Sequence, residues 1–227
     1  MENSLSLKEK FMLLSYHPEK GKPYWDAQYY MYGVIGAILL ELAGQNKIKV
    51  EEKQLIVADT KKTGDTALDY VVEILASSGK QKKVQSWIQS FSSFRSARTI
   101  KKLILQQLVD KRTMGEEEGR FLFFTFKKYP LRDTRTRFAL LKNIQDFVLK
   151  GYENDRDAAL LASLVGSTQL TSRVFEKADR KAARKKLKQI SKENEVSKIV
   201  GATVSAVQAA IVASVAVTAS VSAASGR

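Results

Sequence analysis

The chain has 227 residues, 44% of them hydrophobic and 27% charged, with three prolines and no cysteine. That length and apolar content suffice for a sizeable core and exclude a disordered polyelectrolyte; the lack of cysteine excludes disulfides and thiolate metal sites, and suits a reducing, cytoplasmic compartment. The formal net charge of +14 is lopsided, with 14 bases against 11 acids in residues 1–100 and 24 against 13 in residues 101–227, which favours an acidic partner, either lipid headgroups or nucleic acid.

The first ten residues lack a cationic start followed by an apolar run, so no secretion signal is read. Ser6, with Glu9 three residues on, predicts a capped helix that runs into Phe11, Met12, Leu13 and Leu14. His17 to Pro23 reads as a lysine-bearing loop, and its lone histidine has no second histidine with which to hold a metal. Tyr24 and Trp25 lead into a long apolar helix over about 26–44, mostly buried. Polar and apolar residues alternate around Glu51-Glu52-Lys53, which predicts a β-hairpin over 47–57.

Thr63-Gly64-Asp65 predicts a turn that caps a helix at 66–77, and a further helix is expected at 81–91. From Phe94 to Val109, Arg95, Arg98, Lys101 and Lys102 fall on one helical face. Ala97, Ile100, Leu103, Ile104 and Leu108 fall on the other. The wider segment 80–112 holds nine bases and one acid, Asp110. Gly119 to Tyr129 is β-prone and aromatic. It predicts a hairpin with 112–118 as the turn and a short strand before it. Helices are expected at about 133–149, 155–166 and 169–190.

Nine bases and two acids lie between Arg173 and Lys192, with Arg180, Lys181, Arg184, Lys185 and Lys188 on one broad face. The run from Ile199 to Gly226 carries no charge and is long enough to span a bilayer. Its small side chains, with Ser, Thr and Gln208 among them, instead predict a buried helix that allows close packing. The expected architecture is mainly α: a single compact helical domain over 1–227, one or two short β-hairpins and a buried apolar C-terminal helix.

Catalytic constellations are thin, and the chain reads as a non-enzyme without cofactor or metal. Asp65 and Asp69 stand one helical turn apart, as a cap and a solvated carboxylate would. Anion binding is better supported. Arginine offers a bidentate fork to phosphate and lysine a point charge. The stripe, the loop lysines and the Tyr24/Trp25 pair form three elements suited to an anionic interface. Nucleic acid is the alternative partner, disfavoured because no helix presents Asn, Gln and Arg together as a base reader. A scaffold for acidic proteins is a third reading.

The order of motifs resembles the Golgi phosphoprotein 3 family. Leu5-Ser6-Leu7-Lys8-Glu9 through Leu14 is similar to its L-x-L-x-E-x-x-x-L-L pattern. Gly33 to Ala43 is similar to its glycine-rich helix ending L-E-L-A, and Thr63-Gly64-Asp65 with Leu68-Asp69 to its T-G-D-x-x-L-D. Trp87-Ile88, the Arg98/Lys101 helix with Leu108-Val109-Asp110-Lys111, Tyr129-Pro130-Leu131 and Ala158 to Ala162 follow in family order. The short form, with Met1-Glu2 almost at the first motif, resembles the prokaryotic members.

The resemblance implies a peripheral membrane protein that binds phosphatidylinositol 4-phosphate or a similar phosphorylated lipid. It implies a headgroup site at Trp25, Arg98 and Lys101, with Arg95 and Lys102 beside them. A further family arginine falls on Ile35 here, a departure for which Tyr29, Tyr30 or Arg95 are the candidate substitutes. The resemblance also implies a 119–129 hairpin that self-associates or touches the bilayer through Phe121, Phe123, Phe124 and Phe126. An internal hairpin packed on its own domain is the other reading.

Overall fold

The computed structural model describes residues 4–24, 29–151, 155–192, 206–207 and 209–216, the side chains of Phe121, Ser191 and Lys192 apart. At its centre α1 (Leu7–Ser15) packs on α2 (Tyr30–Gly44). The α2 helix is apolar on nearly every side. Val34, Ile35, Ala37, Ile38, Leu39 and Leu42 are all buried, as expected of a helix enclosed by others. Two of its glycines permit that enclosure. A Cβ on Gly33 would lie 2.3 Å from the Phe11 ring, and one on Gly36 would lie 2.2 Å from Ile211.

Short polar elements surround this centre. Strands β1 (Ile48–Glu51) and β2 (Gln54–Val57) form the expected hairpin through Glu52 and Lys53, both at positive φ. A third strand, β3 (Lys82–Lys83), pairs with β2, so the next helix, α4 (Val84–Phe91), starts later than its sequence predicts. The cause is backbone pairing: Val84 N–H donates to Lys53 C=O at 3.0 Å. Helix α3 (Thr66–Ser77) matches its expected span, and α5 (Phe94–Asp110) ends one residue beyond its own. The apolar face of α5, with Ile100, Ile104, Leu105 and Leu108, is buried.

Two expectations are corrected. The 119–129 segment is not one strand but holds a turn at Leu122-Phe123, between β4 (Glu117–Phe121) and β5 (Phe124–Lys128). Opposite charges set this register, with Glu117 against Lys128 and Glu118 against Lys127. The helix expected at 169–190 is broken. After α6 (Thr134–Lys150) and α7 (Arg156–Ser167) come a single turn, α8 (Thr171–Val174), and then α9 (Arg180–Lys192). Phe175 is extended and buried at the break, and the Arg180 guanidinium donates to the carbonyls of Phe175 (3.1 Å) and Ser172 (3.0 Å).

Of the apolar 199–226 run, residues 206–207 and 209–216 are described and helical. Val207, Ile211, Ser214 and Val215 are buried, whereas Val212 faces outward. The remainder of that run lies outside the described residues. The core is continuous from Leu5 to Ile211. Among the described residues no helix is long and apolar enough to cross a membrane.

Candidate anion-binding site

The cationic stripe stands on the outer face of α5, held there by burial of the opposite face. Arg95, Arg98 and Lys102 are exposed and Lys101 is half-buried. Among the described residues, none of the four has a carboxylate within ion-pair distance. Arg98 and Lys101 form a ridge between two clefts, and both side chains line each cleft. The structure thus brings these two together, adds Lys102 to one cleft, and leaves Arg95 lining neither.

The first cleft, about 370 Å³, lies toward the start of α2. Its other walls are Tyr30, Met31, Ser92, Phe94 and Ala97, with no carboxylate among them. Burial pushes the Tyr30 phenol up to about 12, so at neutral pH it is protonated and can donate a hydrogen bond. Phe94 is 83% exposed, an apolar contact that the sequence reading did not single out. Ile35 is fully buried in the core and Tyr29 is buried, and neither lines the cleft; Tyr30 does, with a side chain that also hydrogen-bonds the buried Tyr16. Trp25 lies outside the described residues.

The second cleft, about 630 Å³, lies between α5 and the β4–β5 hairpin. Alternation along the strands gives the hairpin two unlike faces. Glu116, Glu118, Thr125, Lys127 and Tyr129 line the cleft, and Phe126 between them does as well. The Phe126 ring lies over Gly119, where a Cβ would meet it at 2.5 Å, and under the Lys22 ammonium at 3.7 Å. Phe126 is therefore half-buried, and Lys22 is engaged with the hairpin.

The 17–23 loop holds the base of the hairpin. Tyr129 N–H donates to Gly21 C=O and Leu131 N–H to Pro18 C=O, both at 2.8 Å. Only glycine fits at position 21, where φ is +59° and a Cβ would lie 2.5 Å from Tyr129 N. His17 Nδ1 accepts from the N–H groups of Glu19 and Lys20 at 3.3 Å, a structural use of the lone histidine.

The hairpin tip is apolar and open. Leu122 is 78% exposed, Phe123 97% and Phe124 73%; the side chain of Phe121 lies outside the described residues. Leu122 has φ +52°, a region leucine rarely adopts. It belongs to the tip as much as Phe123 and Phe124 do. Sequence reasoning passed over it because neither turn residue is glycine, asparagine or aspartate.

The remaining motif residues converge elsewhere, in a buried polar cluster. Lys8, with no exposed side-chain surface, donates to Asp65 (2.6 Å), Glu41 (3.1 Å) and the Ser6 hydroxyl (2.9 Å). Glu41 also accepts the Lys8 N–H at 2.7 Å, and Glu9 binds Ser6 N–H (2.7 Å) and Lys111 (2.6 Å). Burial opposes the charge on Lys8, but Glu41 and Asp65 outweigh it and hold its pKa up. For Asp65, burial is outweighed by Lys8 and by the Leu68 N–H, and its pKa is lowered. Burial raises Glu41, with Lys8 opposing. Asp69 accepts from the N–H and hydroxyl of Thr63 at 2.6 and 2.7 Å. Asp65 and Asp69 thus have structural partners.

The second basic cluster, on α9, is separate. This helix packs on α6, α7 and α8, whereas α5 packs on α1, α3 and α4. Lys181, Arg184, Lys185 and Lys188 are exposed, while Arg180 is taken up at the helix break and Lys186 donates to Leu149 C=O at 2.6 Å.

A family model described as Golgi phosphoprotein 3 (GPP34) matches residues 7–210 of this sequence. The sequence is also similar to the vacuolar protein sorting-associated protein 74 of Schizosaccharomyces pombe, 25% identical over 160 residues. That match covers 62% of this chain and 47% of the relative, so it spans about half of the relative's length.

Proposed function

Since the chain belongs to the Golgi phosphoprotein 3 family, we propose that it is a non-catalytic peripheral membrane protein that binds a phosphorylated lipid headgroup, phosphatidylinositol 4-phosphate or a similar one. The observation that carries this reading is the ridge of Arg98 and Lys101. Two cations one turn apart, without carboxylate partners among the described residues, border a cleft whose described walls hold no acid. In this reading Arg98 forks a phosphate, Lys101 adds a second charge and the neutral Tyr30 hydroxyl donates to a remaining oxygen. Ile35 supplies no cation from α2, so headgroup selectivity falls on these three groups.

Trp25, an indole suited to the interfacial zone of a bilayer, is the proposed apolar companion of these groups. Leu122, Phe123 and Phe124 would enter the same zone, or meet a second copy of the chain. Burying one such side chain is worth about 1.5–3 kcal/mol, and each cation near an anionic surface about 1 kcal/mol. None suffices alone; together they give useful affinity.

The test is co-sedimentation with vesicles carrying phosphatidylinositol 4-phosphate. The Arg98→Ala/Lys101→Ala variant, with both changes on a solvated face, should stay folded and lose at least about tenfold in affinity. Sedimentation equal to that of the unsubstituted chain would sink the reading. A steep salt-dependent shift with nucleic acid in its place would redirect it.

A further inference from the structure

Charges of both signs face each other across the hairpin-side cleft. On the α5 wall stand Arg98, Lys101 and Lys102; on the hairpin wall stand Glu116, Glu118 and Lys127. Glu116 and Lys127 form an ion pair with each other. Glu118 stands across the strands from the same Lys127, so these three leave the hairpin wall one negative charge in excess; Glu118 and the three α5 cations form no ion pair among the described residues, although all four line one cleft. Opposite charges that share an open space of about 630 Å³ without touching leave room for a ligand that bridges them.

That arrangement sets the chemistry of the ligand. Its phosphate would lie against the α5 cations, and its positive group against Glu118. A polyanion would meet the hairpin carboxylates and be repelled. A quaternary ammonium has no N–H to donate, whereas a primary ammonium has three. We infer that the hairpin-side cleft is a site for a phosphate ester bearing a primary ammonium, of the phosphoethanolamine type. This rests on the reading that Arg98 and Lys101 take phosphate; Lys102 and Glu118 are what it adds. A peripheral protein with both clefts would hold an anionic headgroup on the α2 side of the ridge and an amine-bearing one on the hairpin side.

The test titrates the full chain, at fixed salt, with phosphoethanolamine and with phosphocholine, which have the same charged groups apart from the methyls on nitrogen. Phosphoethanolamine should bind about three- to fivefold more tightly, the worth of one hydrogen bond that phosphocholine cannot donate. Glu118→Ala, a substitution on an exposed strand residue that removes the hydrogen-bond acceptor, should erase that ratio without weakening binding of inorganic phosphate. Equal binding of the two esters, a ratio unchanged in Glu118→Ala, or no binding of either ester would overturn the inference.

A second arm compares phosphatidylcholine vesicles with and without phosphatidylethanolamine. Preference in vesicles assigns the ligand to a membrane, and preference only for the soluble ester assigns it to a free metabolite. Glu118→Ala should still sediment with phosphatidylinositol 4-phosphate vesicles. If those vesicles bind through Arg98 and Lys101 while the amine preference is absent, the inference falls and the headgroup reading stands.

Discussion

Lys8 is among the largest side chains the fold buries completely, and it is charged. Its ammonium neutralises two carboxylates, Glu41 and Asp65, drawn from α2 and from the cap of α3. Removing one member of a buried ionic group is costly because the others stay charged and desolvated. Lys8→Ala is expected to destabilise the chain by about 3–5 kcal/mol and to lower Tm by roughly 10 °C, read by thermal and urea unfolding. A loss below 1 kcal/mol would show that the cluster does not hold these elements together. Acid acts on the same residues. Asp65 and Asp155 are held low because the capped N–H groups and nearby cations or amides outweigh burial, and Asp133 because Thr136 donates to it twice. The unfolded chain therefore binds these protons more readily, so stability rises with pH across that window. The contribution is complete above the unfolded aspartate value of about 3.9 and is lost as pH falls through the lower folded values. Glu41, raised by burial, titrates in the opposite sense and at higher pH. Helix loss below about pH 4, followed by circular dichroism, is the expected outcome.

Among the elements, the β4–β5 hairpin is the one whose local preferences conflict with its form. Leucine at φ +52° costs about 1–2 kcal/mol relative to glycine, yet it keeps a third apolar side chain at the tip. Leu122→Gly is expected to relax that turn, leave the fold intact and reduce vesicle binding by several-fold. Unchanged vesicle binding would show that the tip does not meet the bilayer. The same conflict explains why this hairpin was hard to read. Its turn lacks the residues that mark turns, so the aromatic run passed for one strand. Helix α5 was legible because Ile100, Ile104, Leu105 and Leu108 repeat at helical spacing, and the hairpin, whose turn residues Leu122 and Phe123 are neither asparagine nor glycine, was not. The break between α8 and α9 was hidden for a different reason. Phe175 is held there by burial and Arg180 by backbone carbonyls, which are tertiary effects that a basic, helix-favouring segment conceals. The pairing of β3 with β2 has only two residues to signal it. At the candidate site, the sequence pointed to Arg98 and Lys101, but the clefts on either side of them arise from residues far apart in the chain, with Tyr30 and Met31 on one side and Glu118 and Lys127 on the other.

For the whole molecule, the question is whether its net charge of +14 or one constellation within it binds a membrane. The two cationic surfaces, on α5 and on α9, pack against different helices and so can be altered separately. Charge alone would make them interchangeable, since attraction to an anionic surface depends on the number of nearby cations. A pocket would not. The most direct measurement compares Arg98→Ala/Lys101→Ala with Lys181→Ala/Lys185→Ala on vesicles carrying phosphatidylinositol 4-phosphate, at one salt concentration. Each variant removes two positive charges from a solvated helix face. The α5 variant is predicted to lose at least about tenfold in affinity while the α9 variant stays within about threefold of the unsubstituted chain. Equal losses in the two variants would contradict a headgroup site at Arg98 and Lys101.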